Sequence, residues 1–273
     1  MCYNIFTGSD NMGIITKNTD LVKFRPNNIK TLLILKDILN IDFKTLSIYQ
    51  NWTKLNNDWY YYKEFNFYEI LGEYLAKSIN LKTVHNIVGI NKNQIEIIKT
   101  YYTLTKNFRK KNNKYFLTKD LFDKKNECKI ENLEQFTKDK KNYLKLKNDI
   151  LLLISLDIYM RQLDRENQNN LIFEIDSFNN LNICPIFDYS NCFKAKDGYE
   201  NPLINIYFTK KDLYEKFYKY PELYDMMNYW LNFDINTTLK EIQKDYNFKF
   251  NKLFIHNIEK EDQKSKQIIK KLL

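Results

Sequence analysis

The sequence predicts an α+β protein in two parts: mixed strands and helix over residues 1–105, then a mainly helical part over 106–273. Three observations lead there. Short alternating apolar runs crowd around one amphipathic helix in the first hundred residues, and from residue 130 apolar positions recur at three and four. Within that helical stretch, LIFEID and LNICPIF form two near-equal apolar runs around SFNN, the pattern of a β-hairpin.

The chain is long enough for a substantial core. With 273 residues, 44% hydrophobic and 16% aromatic, it can fold as one two-lobed domain or two small ones. Five Gly and four Pro in the whole chain exclude collagen-like, linker-rich and glycine-loop-rich designs, and no repeat of 20 to 50 residues is visible.

In chain order, MGIITKNTDLVKFR at 12–25 reads as strand, polar turn and strand, so an N-terminal hairpin is expected. Alternation sets Leu21, Lys23 and Arg25 on one face and Val22 and Phe24 on the other. Just upstream, TGSDNMG can form a phosphate-covering turn, with backbone N–H groups around Gly8 and Ser9. NIKTLLILKDIL at 28–39 looks helical, and DWYYYKEF at 58–65 looks like a strand. FNFYEILGEYLAKSINL then forms an amphipathic helix with Tyr68, Leu71, Leu75 and Ile79 on one face. Glu69 and Glu73 lie one turn apart on the adjacent face, and either can pair with Lys23.

VHNIVGI and QIEIIKTYYTL resemble two further strands. The charged segment 106–129 is expected to be irregular and to connect the two parts, with an adenine pocket near it. Beyond residue 130, Leu146, Ile150, Leu153, Ile154 and Asp157 share a helical face turned to the second core. A buried Asp157 needs a partner. Arg161, four residues on, or backbone N–H groups of the following loop can supply it. After Asp188 the sequence reads as mostly helix, including FKFNKLFIHNIEKEDQKSKQIIKKLL.

The net charge is +9, from 43 Lys+Arg against 34 Asp+Glu. Much of the excess lies in KNFRKKNNKYFLTK and KSKQIIKK, which suits nucleotides, anionic lipid headgroups or nucleic acid. No helix-turn-helix, finger or single-strand-binding motif accompanies it, so no specific nucleic-acid partner is expected. Cys2, Cys128, Cys184 and Cys192 show no CxxC spacing, and His85 and His256 lie far apart, which argues against structural zinc. The start lacks a signal-peptide pattern, and ILLLISLDIYM is too short and polar to span a bilayer. A cytoplasmic setting with no transmembrane segment follows, with secretion by a signal-less route left open.

The chemistry is concentrated in RQLDRENQNN at 161–170 and PIFDYS at 185–190. Asp164 and Asn169 are five apart on a polar loop, and the intervening hairpin returns Asp188 beside Asn169. Phosphoryl transfer needs a carboxylate at the attacking hydroxyl, with an amide oxygen and a second carboxylate holding magnesium against the phosphates. Asp164, Asn169 and Asp188 provide that set in order.

At these residues the chain resembles the HipA-like serine/threonine kinases, including their CtkA-like secreted branch, and more distantly the phosphatidylinositol 3/4-kinase-like folds. The family's acidic residue, its Gln or Asn, and its Asp-Arg-His-x-x-Asn run correspond to Asp157, Gln162, Asp164, Arg165 and Asn169. Its Pro-x-x-Asp-x-Ser run corresponds to Pro185, Asp188 and Ser190. An early ATP-site lysine is matched by Lys23 in LVKFRP, and the glutamate opening a helix by Glu69 in preference to Glu73.

The resemblance implies a bilobal protein-kinase-like fold using ATP and Mg2+ to phosphorylate a protein substrate. Asp164 would be the catalytic base, with Asn169 and Asp188 as metal ligands. Lys23, oriented by Glu69, would steady the phosphates together with Gly8 and Ser9. Two departures stand out: Glu166 replaces the usual His after Asp-Arg, and the phosphate loop is reduced to TGSDNMG. These departures leave room for a nucleotide-binding pseudokinase, and the basic segment 106–115 for a lipid or small-molecule kinase of the same fold.

Overall fold

A computed structural model describes residues 14–16, 22–24, 52–91, 101–110, 113–117, 130–162, 165, 171–193 and 220–273, giving only the backbone for 14–16, 22–24, 90 and 91. The described residues form a mixed α/β structure of sheets and helices.

The largest sheet has five strands in the order β2-β5-β6-β4-β3. These are β2 (Val22–Phe24), β3 (Trp52–Leu55), β4 (Asp58–Glu64), β5 (Asn86–Asn91) and β6 (Tyr101–Lys106). β2 runs parallel to β5, and the other neighbours are antiparallel. β3 and β4 close a tight hairpin at Asn56, whose φ of 55° a short amide side chain tolerates.

Strand pairing fixes which side chains share a face. Tyr62 is opposite Leu104, and Lys63 is opposite Thr103, which in turn is opposite Val88. One face therefore carries Tyr60, Tyr62, Ile87 and Leu104 as a small apolar cluster. The other carries Lys63, Thr103, Val88 and Asn86, and helix α1 (Phe67–Ser78) packs against β5 on that side.

Helix α1 begins two residues after β4 ends because Asn66 caps it. Its side-chain oxygen accepts from Tyr68 N at 2.9 Å, a bond that stabilises a helix start by about 1 kcal/mol. The Asn66 backbone N–H donates to Thr103 Oγ1 at 3.1 Å, locking the strand-to-helix corner onto the sheet.

A second, three-stranded antiparallel sheet runs β7-β8-β9, with β7 at Lys114–Leu117, β8 at Ile172–Ile175 and β9 at Leu181–Ile183. The expected hairpin is thus present, closed by Asp176, whose Oδ1 accepts from the N–H groups of Phe178 and Asn180 at 2.9 Å each. The segment expected to be irregular after residue 106 contributes β7 to this sheet. Its KYFL run gains a strand partner in β8, which local sequence does not reveal.

Helix α2 (Lys140–Met160) follows a 3-10 turn at Ile130–Phe136, and α3 (Pro221–Asn232), α4 (Ile235–Asp245) and α5 (Lys252–Leu272) complete the helical part. Leu146, Ile150, Leu153, Ile154 and Asp157 of α2 are all buried as expected. Tyr159 stacks on Trp230 at 4.4 Å between ring centres, and its hydroxyl donates to Asp262 at 2.6 Å, joining α2 to α3 and α5. One continuous apolar core runs from Phe65 to Ile269 and includes both α1 and α2.

One expected pairing and one expected element differ. β1 (Ile14–Thr16) does not form a hairpin with β2; it pairs antiparallel with β10 (Phe248–Phe250), while β2 joins β5. The FKF run expected to be helical is that β10 strand. Alternation marks a strand but does not name its partner, and both partners here are distant in sequence. The predicted helix at 28–39 lies outside the described residues. Among the described residues no helix is long and apolar enough to cross a membrane.

Candidate active site

Three charged side chains from three elements meet at one point. Lys63 comes from β4, Glu69 from the first turn of α1, and Asp188 from the loop after β9. Lys63 Nζ lies 2.8 Å from Asp188 Oδ1 and forms an ion pair with Glu69 Oε1. Lys63 reaches α1 because its face of the sheet is the one α1 covers. Glu69 reaches Lys63 because Asn66 starts the helix immediately beyond the strand.

The three differ in exposure, and that difference sets their chemistry. The Glu69 side chain is fully buried, whereas those of Lys63 and Asp188 keep 24% and 29% of their surface. The glutamate is thus a fixed anchor and the other two remain accessible to a ligand. Burial lifts the Glu69 carboxyl above its usual range, against the attraction of Lys63 and with a push from Asp188. Burial also opposes charge on Lys63, but the flanking carboxylates hold its ammonium well above the usual lysine range. Asp188, despite its burial, is drawn down to about 2 by Lys63, with further help from Ser190. Two carboxylates thus share one ammonium, the Glu69 carboxyl raised by burial and that of Asp188 drawn down by Lys63.

The loop carrying Asp188 is tied to α1 and to the chain after it. Tyr189 N donates to Glu69 Oε2 at 3.0 Å, and Asn66 Nδ2 to Ser190 O at 3.2 Å. Ser190 Oγ donates to Asp188 Oδ1 at 2.7 Å, and Thr83 Oγ1 bonds both Ile186 O and Tyr189 Oη at 2.9 Å. The Tyr189 ring lies directly over Gly72 of α1, where a Cβ would sit 2.2 Å from its Cγ.

Asp157 has the partner its burial demands, but that partner is not Arg161. Arg165 donates from Nε and Nη2 to the two Asp157 oxygens at 3.1 Å each, with both side chains fully buried. Arg161 sits at the left-handed C-cap of α2, φ 50°, where the helix has ended. Its guanidinium therefore swings to Glu261 and to Phe193 O instead of returning four residues along a helix.

Behind α1, Glu73 is held separately from the triad. It accepts from Asn86 N at 2.7 Å, contacts His85 Nδ1 at 2.9 Å, and pairs with Lys77. Burial pushes its carboxyl up, yet these donors bring it below the usual range. Of the two helix glutamates, Glu69 alone is paired with the lysine of the triad.

Of the residues singled out by sequence, the structure brings Glu69 and Asp188 together. Gly8, Ser9, Asp164 and Asn169 lie outside the described residues. Lys23 lies in β2, paired with Ile90 of β5. That strand is three strand spacings from β4, about 14 Å across the sheet. The lysine found against Glu69 is Lys63, which sequence reasoning passed over within DWYYYKEF. A signal existed: a lysine near the end of a strand that runs straight into the helix bearing Glu69.

Metal donors are sparse among the described residues, where no three His, Cys, Asp or Glu side chains gather as a potential cation cage. Asp188 supplies hard carboxylate oxygen at an accessible position, which suits magnesium, an ion commonly held by one or two carboxylates with phosphate and water completing its shell.

No family model matches the chain, and no curated protein matches it. Among solved structures it is similar to the crystal structure of a Helicobacter pylori proinflammatory kinase, CtkA, at 23% identity and a TM-score of 0.36. The match covers 52% of this chain and 54% of that chain, so this chain spans about half the length of that relative. A likeness so slight carries no functional argument.

Proposed function

We propose that this chain is an ATP- and magnesium-dependent phosphotransferase of bilobal, HipA-like kinase type, transferring the γ-phosphoryl group to a serine or threonine hydroxyl of a protein. The observation that carries the proposal is the convergence of Lys63, Glu69 and Asp188. A sheet lysine anchored by a buried helix glutamate and facing an ionised aspartate matches what phosphoryl transfer asks of a protein.

In this reading Glu69 orients Lys63, and Lys63 steadies the non-transferred phosphates. It takes over the part that the sequence resemblance gave to Lys23. Asp188, ionised at neutral pH, and Asn169 hold the metal. Held there, magnesium would supply neutralisation of the phosphate charge. Asp164 accepts the proton of the attacking hydroxyl as the new O–P bond forms and the bond to the ADP oxygen breaks. Positioning and charge neutralisation supply most of the rate.

The test is transfer of labelled γ-phosphate from ATP with magnesium to a generic protein acceptor, with wild type beside Asp188→Ala. Label present with wild type and absent with the variant supports the proposal. Equal label with both removes Asp188 from the chemistry. Magnesium-dependent ATP binding without transfer to any acceptor would make the chain a nucleotide-binding pseudokinase.

A further inference from the structure

Asp188 is a non-glycine residue at φ 59°. That left-handed backbone is uncommon for a residue with a side chain, Asp and Asn tolerating it best, and here its surroundings hold it. Two side chains from one short segment hold the peptide groups on either side. Arg165 Nη1 donates to Phe187 O at 2.8 Å, and Gln162 Nε2 donates to Asp188 O at 2.7 Å. The angles φ and ψ of Asp188 relate these two peptide planes, so fixing both planes fixes both angles.

Each clamp residue is itself immobilised. Arg165 is gripped by both oxygens of Asp157. The fully buried Gln162 amide is oriented by the Cys192 thiol, which donates to its Oε1 at 3.3 Å. Burial keeps that thiol protonated, and so a donor.

We infer that Gln162 and Arg165 are positioning residues that set the direction of the Asp188 carboxylate, an inference that rests on the proposed function for its metal-holding role. They bracket Asp164 in sequence. The clamp therefore ties Gln162 and Arg165, the residues that flank the candidate base in sequence, to the residue bearing the metal-holding carboxylate. It differs from an ordinary buried contact in acting on the backbone of one residue held at an uncommon conformation.

Removing Arg165 also breaks a buried ion pair and endangers folding, so the test uses Gln162→Met, which keeps length and bulk and loses the donor. Two quantities are read in wild type and variant: hydrogen exchange at the Tyr189 amide without ligand, and manganese binding in the presence of ATP followed by electron paramagnetic resonance. The clamp predicts exchange at Tyr189 faster by about 10-fold and manganese affinity weaker by about 10-fold, the scale seen when an outer partner of a metal ligand is lost. ATP affinity without metal should be unchanged.

Unchanged exchange in the variant overturns the clamp. Faster exchange with unaltered manganese affinity overturns its role in positioning the carboxylate. If wild type itself binds no manganese with ATP, the phosphotransferase reading fails, while the exchange comparison still decides whether Gln162 holds Asp188.

Discussion

The Tyr189 ring lies against the backbone of Gly72, so close that a Cβ at position 72 would stand 2.2 Å from Tyr189 Cγ and 2.5 Å from Cδ1. Gly72 lies one turn beyond Glu69, and Tyr189 immediately follows Asp188. Helix α1 and the aspartate loop therefore meet at a contact that only glycine permits, and that contact sets how near Glu69 and Asp188 stand to Lys63.

Gly72→Ala is expected to force the ring or the helix outward. Overpacking of this kind costs about 1–3 kcal/mol, read as a lower urea midpoint. Tyr189→Ala opens the space, so the double variant should lose less than the sum of the two single losses. Strict additivity would show that the two residues do not press on each other.

The buried Arg165–Asp157 pair predicts an asymmetric response. Arg165→Met alone leaves an uncompensated buried carboxylate and should destabilise by about 3–5 kcal/mol. Adding Asp157→Leu should recover part of that loss. Chemical denaturation of the three variants decides it, and no recovery in the double variant would assign the cost to lost packing.

Acid stability should report Asp188. Its folded value of about 2 lies below the ordinary 3.8. The stabilisation is therefore present above pH 4 and is lost as pH falls from about 4 through about 2, amounting to no more than about 2 kcal/mol. Asp188→Asn should flatten this part of the stability profile relative to wild type. Parallel profiles for the two proteins would mean that Asp188 is not ion-paired in the folded chain.

Much of this arrangement was legible in the sequence. The aromatic-rich DWYYYKEF run marks β4, periodicity marks α1 and α2, and the paired apolar runs around Asp176 mark the hairpin that delivers Asp188. What stayed hidden depends on contacts between distant segments. The partner of β1 is β10, from the other end of the chain, because a strand's pattern is satisfied by any edge of suitable register. Arg161 can return to Asp157 only along a continuing helix; the helix ends at Met160, and Arg165 takes the place. Lys63 was obscured because a lysine among tyrosines near a strand end also reads as a solvated edge. The cross-strand register with Thr103 is what turns it toward α1.

In the proposed function Lys63, held by Glu69 beside Asp188, is the lysine that steadies nucleotide phosphates. The most direct measurement compares magnesium-dependent transfer of γ-phosphate from ATP by Lys63→Met and Lys23→Met variants beside wild type. Transfer is expected from wild type, with loss of about 100-fold or more in Lys63→Met and near wild-type transfer in Lys23→Met. Retained transfer in Lys63→Met, with loss in Lys23→Met, would contradict that role for Lys63.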